Sequence, residues 1–206
     1  MIGVYNYTVI LTYLGLLSGF TGILYITSGN VKVALLCLMA AGFCDMFDGK
    51  IAATMERTRL EKRFGIQIDS LSDLICFGVL PAMIGYHCAE KTILSAVIAA
   101  AYVLCALIRL AWFNVDEEER QDEESSRRDA YLGLPVTTSA LLLPLLIGTG
   151  WRNEFPFDKM TQWLLLGIGV AYLTPFRLKK PEKVGMWLLA LMGLAAFITV
   201  LTGVCA

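Results

Sequence analysis

The sequence predicts an all-α, polytopic membrane protein, a helical bundle of about seven transmembrane helices with six or eight as alternatives. Hydrophobic residues make up 57% of its 206 residues and charged residues only 17%, whereas soluble domains average about 45–50% and about 25%. The apolar residues also fall in long blocks rather than in dispersed stripes, which is typical of helices in lipid. We therefore interpret residues 1–206 as a single membrane domain.

Seven apolar runs are long enough, or nearly so, to cross the hydrocarbon core, which takes about 20 helical residues. They lie near 5–27, 31–54, 65–88, 91–114, 134–150, 160–176 and 185–204. Because the fifth and sixth runs are short, counts of six and eight stay open. The strongly charged stretch at 116–128 is interpreted as a solvated connector between the fourth and fifth runs.

The lysines and arginines of the polar loops predict the orientation, because positive charge is enriched on the cytoplasmic side of a membrane. The loops 56–63, 116–133 and 177–184 carry eleven basic residues, and the loops on the opposite side carry four. The eleven are Arg57, Arg59, Lys62, Arg63, Arg120, Arg127, Arg128, Arg177, Lys179, Lys180 and Lys183, and the four are Lys32, Lys91, Arg152 and Lys159. We therefore expect a protein integral to the cell membrane with the three basic loops in the cytoplasm.

The net charge argues against a nucleic-acid-binding protein, and the cysteine and histidine pattern argues against a zinc site. The formal net charge is −1 and no basic patch is interleaved with aromatic residues, so nucleic acid is not an expected partner. The six cysteines show no CxxC spacing and His87 is the single histidine, so a zinc site is not expected either.

Four aspartates stand where the second apolar run ends and the third begins. Asp45 and Asp48 are three residues apart, and Asp69 and Asp73 are four apart, so each pair shares one helix face. The intervening loop is short, so the two helices are predicted to be antiparallel neighbours whose carboxylates converge at the cytoplasmic end. Solvated acids at helix ends would explain one or two of them, but four are too costly in membrane spans without a function.

The four carboxylates predict a site for a hard divalent cation, Mg²⁺ or Mn²⁺. Clustered carboxylates repel one another unless a cation neutralises them, and oxygen ligands without His or Cys select hard ions. Ions held in this way usually keep coordination positions open for phosphate oxygens. Gly49, directly after Asp48, would let a nucleotide approach the backbone, and a glycine that packs two helices together is an equally good interpretation.

These residues resemble the signature of a known family. The pattern Asp45-x-x-Asp48-Gly49-x-x-Ala52, followed by Gly65-x-x-x-Asp69-x-x-x-Asp73, is similar to that of the CDP-alcohol phosphotransferases. The segments that resemble the phosphatidylserine synthase branch are Phe64-Gly65, Phe77-Gly78-Val79-x-Pro81, Arg109-Leu110-Ala111-x-Phe113-Asn114 and Gly133-Leu134-Pro135-Val136. Together they extend the likeness from about residue 8 to residue 140.

The resemblance implies transfer of a phosphatidyl group from CDP-diacylglycerol to the hydroxyl of L-serine, with release of CMP. By the same likeness, Asp45, Asp48 and Asp69 ligate the ions, and Asp73 is the general base and a further contact of the metal site. The predicted substrate-binding residues are Gly49, Ala52, Thr12, Arg59, Arg109 and Asn114. The resemblance also implies a homodimer.

Two positions depart from the family pattern. Ala53 stands where the family usually has an arginine that contacts the phosphates of the nucleotide. This departure predicts either reduced activity or replacement of the missing cation by Lys50, Arg57 or Arg59. Gly15 stands where asparagine is common.

The acceptor alcohol is the least specific part of the prediction. A bidentate guanidinium at Arg109 suits the carboxylate of serine, and snorkelling to headgroups or pairing with an aspartate is an equally good interpretation of this residue. Glycerol phosphate or inositol phosphate as acceptor would require a dense basic cluster near the fourth and fifth runs. A cation-coupled transporter, the alternative from another class, would place its acids at mid-membrane depth and show internal repeats.

Overall fold

In a computed structural model of the protein, the described residues are 3–122, 130–153, 156–179 and 183–203. The helices are α1 (Ile10–Thr27), α2 (Val31–Ala52), α3 (Arg59–Asp73), α4 (Leu80–Cys88), α5 (Ile93–Asp122), α6 (Ser139–Asn153), α7 (Phe157–Leu173) and α8 (Lys183–Thr202). Short 3-10 turns precede α1 and α6 at Tyr7–Val9 and Val136–Thr138. Since six π-helical residues join α3 to α4, the described residues form seven long helical segments, and the predicted all-α class is confirmed.

A short strand pair lies beside the bundle. Strand β1 (Ala130–Leu132) pairs antiparallel with β2 (Arg177–Lys179), with Tyr131 opposite Leu178. The pair was not predicted from the sequence, and it ties the chain before α6 to the chain after α7.

Three helical segments among the described residues are long and apolar enough to cross a membrane. They are Tyr7–Thr27, Arg59–Cys88 and Ile93–Glu119, and with them the chain fits a membrane bundle. The remaining helices meet these criteria less well for physical reasons. Helix α2 carries two aspartates and two lysines among its 22 residues, and α6 and α7 have only 15 and 17 residues.

Two predicted boundaries are wrong. Helix α3 begins at Arg59 rather than near residue 65, because Thr58 and Glu61 form a capping box at its start. Helix α5 continues through Asp122, so residues 116–122 are its last turns rather than a connector. Gln67 of α3 donates to Glu118 at 3.1 Å, which holds this acidic end of α5 against α3. Residues 123–129, with Arg127 and Arg128, and Lys180 lie outside the described residues.

Helix α1 packs mainly small residues inward and exposes large apolar residues outward. A Cβ added at Gly19 of α1 would lie 3.2 Å from the Cα of Cys76, and one added at Gly22 would lie 2.8 Å from Leu80. Such close approach is typical of helices that associate in lipid, where small residues let backbones meet. Leu17 and Phe20, on the other side of α1, are more than half exposed and form part of its outward apolar surface.

The rod formed by α3 and α4 widens into a π-helical segment, Leu74–Val79, directly after Asp73. Pro81 follows this segment and has no N–H to donate to the carbonyl of Phe77, four residues earlier. That carbonyl accepts hydrogen bonds from the hydroxyls of Tyr102 at 2.8 Å and Ser139 at 3.3 Å. Because a bilayer interior supplies no water, such side-chain donors stabilise an irregular helix.

Tyr102 and Tyr172 extend this buried polar contact across the bundle. Their hydroxyls are 3.0 Å apart, and the Tyr172 hydroxyl donates to the carbonyl of Val136 at 2.9 Å. The π-helical segment, α5, α7 and the turn before α6 are therefore joined through two phenols.

We expect Tyr102→Phe to destabilise the bundle by about 1–3 kcal/mol, because it removes a buried donor and leaves its partners less well satisfied. The measurement is the thermal unfolding midpoint of the purified protein in detergent. Tyr25→Phe is the matched control, since Tyr25 is 43% exposed on α1. Equal midpoints for the two variants would contradict a stabilising role for the paired phenols.

Candidate metal centre and substrate cavity

Three carboxylates meet where the end of α2 faces α3. One oxygen from each of Asp45, Asp48 and Asp69 lies within 4.8 Å of the others. The short turn between the helices returns the chain antiparallel, so acids spaced three and four residues apart face one another. Thr12 of α1 donates to Oδ2 of Asp48 at 3.3 Å, which adds a third helix to the site.

This donor set fits a hard divalent cation. Two oxygens on opposite sides of Mg²⁺ are about 4.2 Å apart, twice the usual metal–oxygen distance. The separation of up to 4.8 Å is only slightly larger, so small side-chain adjustments would bring all three oxygens into contact with one ion. The cluster can therefore hold a metal, as predicted, and both Mg²⁺ and Mn²⁺ suit carboxylate ligands.

Asp73 lies one turn beyond Asp69 and lines a narrow cleft beside the three carboxylates rather than the open cavity. The same cleft is lined by Asp45, Ser72 and Cys76. Ser72 donates to the carbonyl of Thr12 at 3.4 Å, and the thiol of Cys76 donates to the carbonyl of Gly15 at 3.3 Å. Asp73 is therefore next to the metal cluster, on a part of the helix that is bonded to α1.

An open cavity of about 720 Å³ leads to the metal cluster. Its polar wall combines residues of the chain before α1, the end of α2, the start of α3 and the end of α5. They are Thr8, Thr12, Asp48, Gly49, Arg57, Arg59, Lys62, Arg63, Asp69, Glu117 and Glu118. The cavity has an acidic end suited to a cation and a basic wall suited to phosphate or carboxylate groups.

Three of the six predicted substrate residues line this cavity, namely Thr12, Gly49 and Arg59. A Cβ added at Gly49 would meet nothing within 4 Å. The interpretation of Gly49 as a helix-packing glycine is therefore wrong, and the space beside Asp48 is open to the cavity. Ala52 is half-buried near the end of α2 and is not among the residues that line the cavity.

Arg109 and Asn114 lie outside the cavity lining and contact protein groups. Arg109 is only 8% exposed, and its Nε donates to the carbonyl of Leu134 at 3.1 Å. Its guanidinium carbon lies 3.5 Å from the position of a Cβ on Gly133, whose φ of +79° favours glycine. Asn114 accepts a hydrogen bond from Ser70 at 2.6 Å, which joins α5 to the helix that carries Asp69.

Four charged residues of the cavity wall were not among the predicted site residues or candidate cations: Lys62, Arg63, Glu117 and Glu118. Arg59, Lys62 and Arg63 are spaced three and four residues apart, which puts them on one helix face, and this signal would have found the basic wall. The two glutamates gave no such signal, because the end of α5 was predicted before them.

The three candidates for the cation missing at Ala53 have different positions. Arg57 and Arg59 line the cavity. The Nζ of Lys50 lies 5.1 Å from the ring centroid of Phe47, and this residue is not part of the lining. Ala53 is the exposed C-cap of α2.

A family model described as CDP-alcohol phosphatidyltransferase matches residues 5–174, which include all the residues that line the cavity. The chain belongs to this family. A Saccharomyces cerevisiae relative named CDP-diacylglycerol–serine O-phosphatidyltransferase is 34% identical over 161 residues, which cover 72% of this chain and 56% of the relative. A Bacillus subtilis protein of the same name is 28% identical over 158 residues, which cover 74% of this chain and 77% of the relative. A Mycobacterium tuberculosis protein, also of that name, is 27% identical over 203 residues, which cover 93% of this chain and 69% of the relative.

We expect Asp45→Asn, Asp48→Asn and Asp69→Asn each to weaken Mn²⁺ binding at least about tenfold, because each removes a charged ligand from a hard-ion site. This affinity is measured without turnover by titrating Mn²⁺ into the purified protein and recording the decrease of the EPR signal of free Mn²⁺. Asp158→Asn, in the first turn of α7, is the matched control. Unchanged Mn²⁺ affinity in any of the three variants would remove that residue from the metal site.

Proposed function

We propose that this chain transfers the phosphatidyl group of CDP-diacylglycerol to L-serine, giving phosphatidylserine and CMP. The observation that carries the proposal is the cluster of Asp45, Asp48 and Asp69 at the acidic end of a cavity with a basic wall. Membership of the family supports a CDP-linked donor, and the names of the three relatives support serine as acceptor. The chain is then a transferase of phospholipid biosynthesis.

The donor would bind with its diphosphate between the aspartate cluster and the basic wall. Mg²⁺ or Mn²⁺ bound by Asp45, Asp48 and Asp69 would neutralise charge on the diphosphate and on the departing CMP. Thr12 orients Asp48 through its 3.3 Å hydrogen bond, and the open space at Gly49 admits the nucleotide. Arg59 adds positive charge to the wall that faces the phosphates, and we keep Ala52 as a predicted substrate contact.

Asp73 is the proposed general base. Its carboxylate would take the proton of the serine hydroxyl, whose oxygen bonds to the phosphorus of the phosphatidyl group as the bond to CMP breaks. Its position one turn beyond Asp69, in a cleft that Asp45, Asp48 and Asp69 also line, supports this role because it places the carboxylate beside the metal cluster. We also propose that Asp73 would help to hold the divalent ion.

The mixed charge of the cavity wall favours a zwitterionic acceptor. Glu117 and Glu118 stand in the wall together with Lys62 and Arg63, so the ammonium and the carboxylate of serine both find groups of opposite charge. Glycerol phosphate and inositol phosphate carry no ammonium group, and the two glutamates would repel their phosphates. Lys62 and Arg63 alone would suit those acceptors, so a parallel comparison of the three alcohols is required.

We further propose that the seven helical segments all span the membrane and that the cavity opens to the cytoplasm. The basic residues around the cavity support this orientation, since positive charge is enriched on that side. A homodimer is proposed from the family resemblance, with CDP-diacylglycerol, L-serine and membrane lipid as the other partners.

Incubation of the purified protein with CDP-diacylglycerol and Mn²⁺ tests the proposed function. We expect CMP release and labelled lipid with serine, and much slower reaction when glycerol phosphate or inositol phosphate is offered in parallel. Asp48→Asn should lower turnover about 100-fold or more, equivalent to ~2.7 kcal/mol of transition-state stabilisation. Turnover that prefers a phosphorylated acceptor would replace serine with that alcohol, and no release of CMP with any acceptor would contradict the proposal.

Arg109→Ala tests the predicted serine ligand. If Arg109 binds the serine carboxylate, its loss should raise the KM for serine about ten- to a hundredfold with little change for CDP-diacylglycerol, because a charged hydrogen bond contributes about 1.5–3 kcal/mol. Steady-state kinetics with each substrate varied in turn measure the split. An equal rise in both KM values would instead assign Arg109 to the turn at Gly133 and Leu134, which it contacts.

A further inference from the structure

Arg57 is a cation in the cavity wall whose hydrogen bonding is incomplete. Its Nε is buried and has no hydrogen-bond partner, and among the described residues no other buried side-chain nitrogen or oxygen is in this state. A buried donor without an acceptor is unfavourable, so in a native protein such an atom calls for an explanation, and a bound group that accepts from it is one. The residue lines the same cavity as Asp48, Gly49 and Asp69.

The protein does not supply the missing acceptor through the neighbouring acid. Glu61 interacts electrostatically with Arg57, but its carboxylate is already used at the start of α3. It accepts from the backbone N–H and the hydroxyl of Thr58, both at 2.9 Å, and from the side chain of Asn6 at 3.1 Å. Glu61 therefore holds the capping box together, and it makes no hydrogen bond to the Nε of Arg57.

The backbone before α3 and the space beside Gly65 determine where the Arg57 guanidinium lies. Arg57 directly precedes Thr58, the N-cap of α3, so the capping box fixes its backbone. Its Nη1 lies 3.2 Å from the position that a Cβ would take on Gly65. Because Gly65 has no side chain, the guanidinium can lie across α3 at the wall of the cavity.

We infer that Arg57 is a substrate-binding residue that donates to a phosphate oxygen of the CDP-linked donor. The inference rests on the proposed function, which puts a diphosphate between the aspartate cluster and this wall. A planar guanidinium with paired donors suits phosphate oxygens, and an oxygen placed at Nε would satisfy the buried donor. Arg59 and Arg63 already make other contacts, and Lys50 lies over Phe47.

Direct binding of CDP to the full chain in detergent, with Mg²⁺ present, tests this role without turnover. We expect Arg57→Gln to weaken CDP binding at least about tenfold, as expected for loss of a charged hydrogen bond. Lys50→Gln, the matched control, removes a cation from the same end of the α2–α3 hairpin but outside the cavity, and should change CDP affinity less than about twofold. Equal affinity of Arg57→Gln and wild type, or an equal loss in both variants, would overturn the inference.

Two further readouts separate binding from folding and from the proposed function. If Arg57→Gln lowers the thermal midpoint, Arg57→Lys replaces it, since it keeps the charge but lacks Nε. Several-fold weaker CDP binding in Arg57→Lys would support the inference, and wild-type affinity would overturn it. Serine turnover with an unchanged KM for CDP-diacylglycerol in Arg57→Gln would also overturn it and leave the proposed function standing. If CDP binding depends on Arg57 but the chain has no transferase activity, the phosphate-binding role of Arg57 would be supported and the proposed function would be refuted.

A double variant tests whether Arg57 takes the place of a cation at position 53. Ala53 follows Gly49 by one helical turn, so an arginine there would reach toward the same phosphates. We expect Ala53→Arg to improve CDP binding of the wild type less than about threefold and to restore much of the affinity lost in Arg57→Gln, because coupled sites are not additive. An equal gain in both backgrounds would mean that the two positions act independently and would contradict the inference.

Discussion

The mutual repulsion of three carboxylates constrains the rest of this structure. Asp45, Asp48 and Asp69 bring oxygens within 4.8 Å of one another between helices of a membrane bundle, where unneutralised charge is most costly. A divalent cation removes the repulsion only if the helices hold the oxygens in place. The capping box at Thr58, the close approach of α1 at Gly19 and the π-helical segment after Asp73 all serve to position these two helices.

The cavity complements the charge of the metal site. Cations from the start of α3 and from the loop before it line the cavity together with Asp48 and Asp69. A diphosphate bound there would have both a metal ion and guanidinium groups within the same cavity. The two glutamates at the end of α5 add negative charge to the same wall. One cavity therefore offers cations that suit a phosphorylated donor and groups of both charges that suit an amino-acid acceptor.

Sequence reasoning was sufficient where the signal is local and insufficient where it depends on contacts between distant segments. The convergence of Asp45 with Asp69 follows from helical spacing and a short loop, and the structure has it. The predicted end of α5 was wrong, because a local acidic stretch is typical of a solvated connector. Here the stretch is held against α3 by a hydrogen bond from Gln67 to Glu118, which lies 51 residues further along the chain. The pairing of Tyr102 with Tyr172 joins residues 70 positions apart and has no local pattern. Whether Gly49 packs or opens depends on what faces it, which spacing alone does not determine.

Pulsed EPR of Mn²⁺ bound to the purified protein measures most directly whether the aspartate cluster presents a cation to the phosphates of the donor. Addition of CDP-diacylglycerol should produce a hyperfine coupling between the manganese and a ³¹P nucleus, because an ion held by three carboxylates keeps positions free for phosphate oxygens. The coupling should be absent in Asp48→Asn. Turnover in the presence of bound Mn²⁺ but without any ³¹P coupling would contradict a metal site that binds the donor.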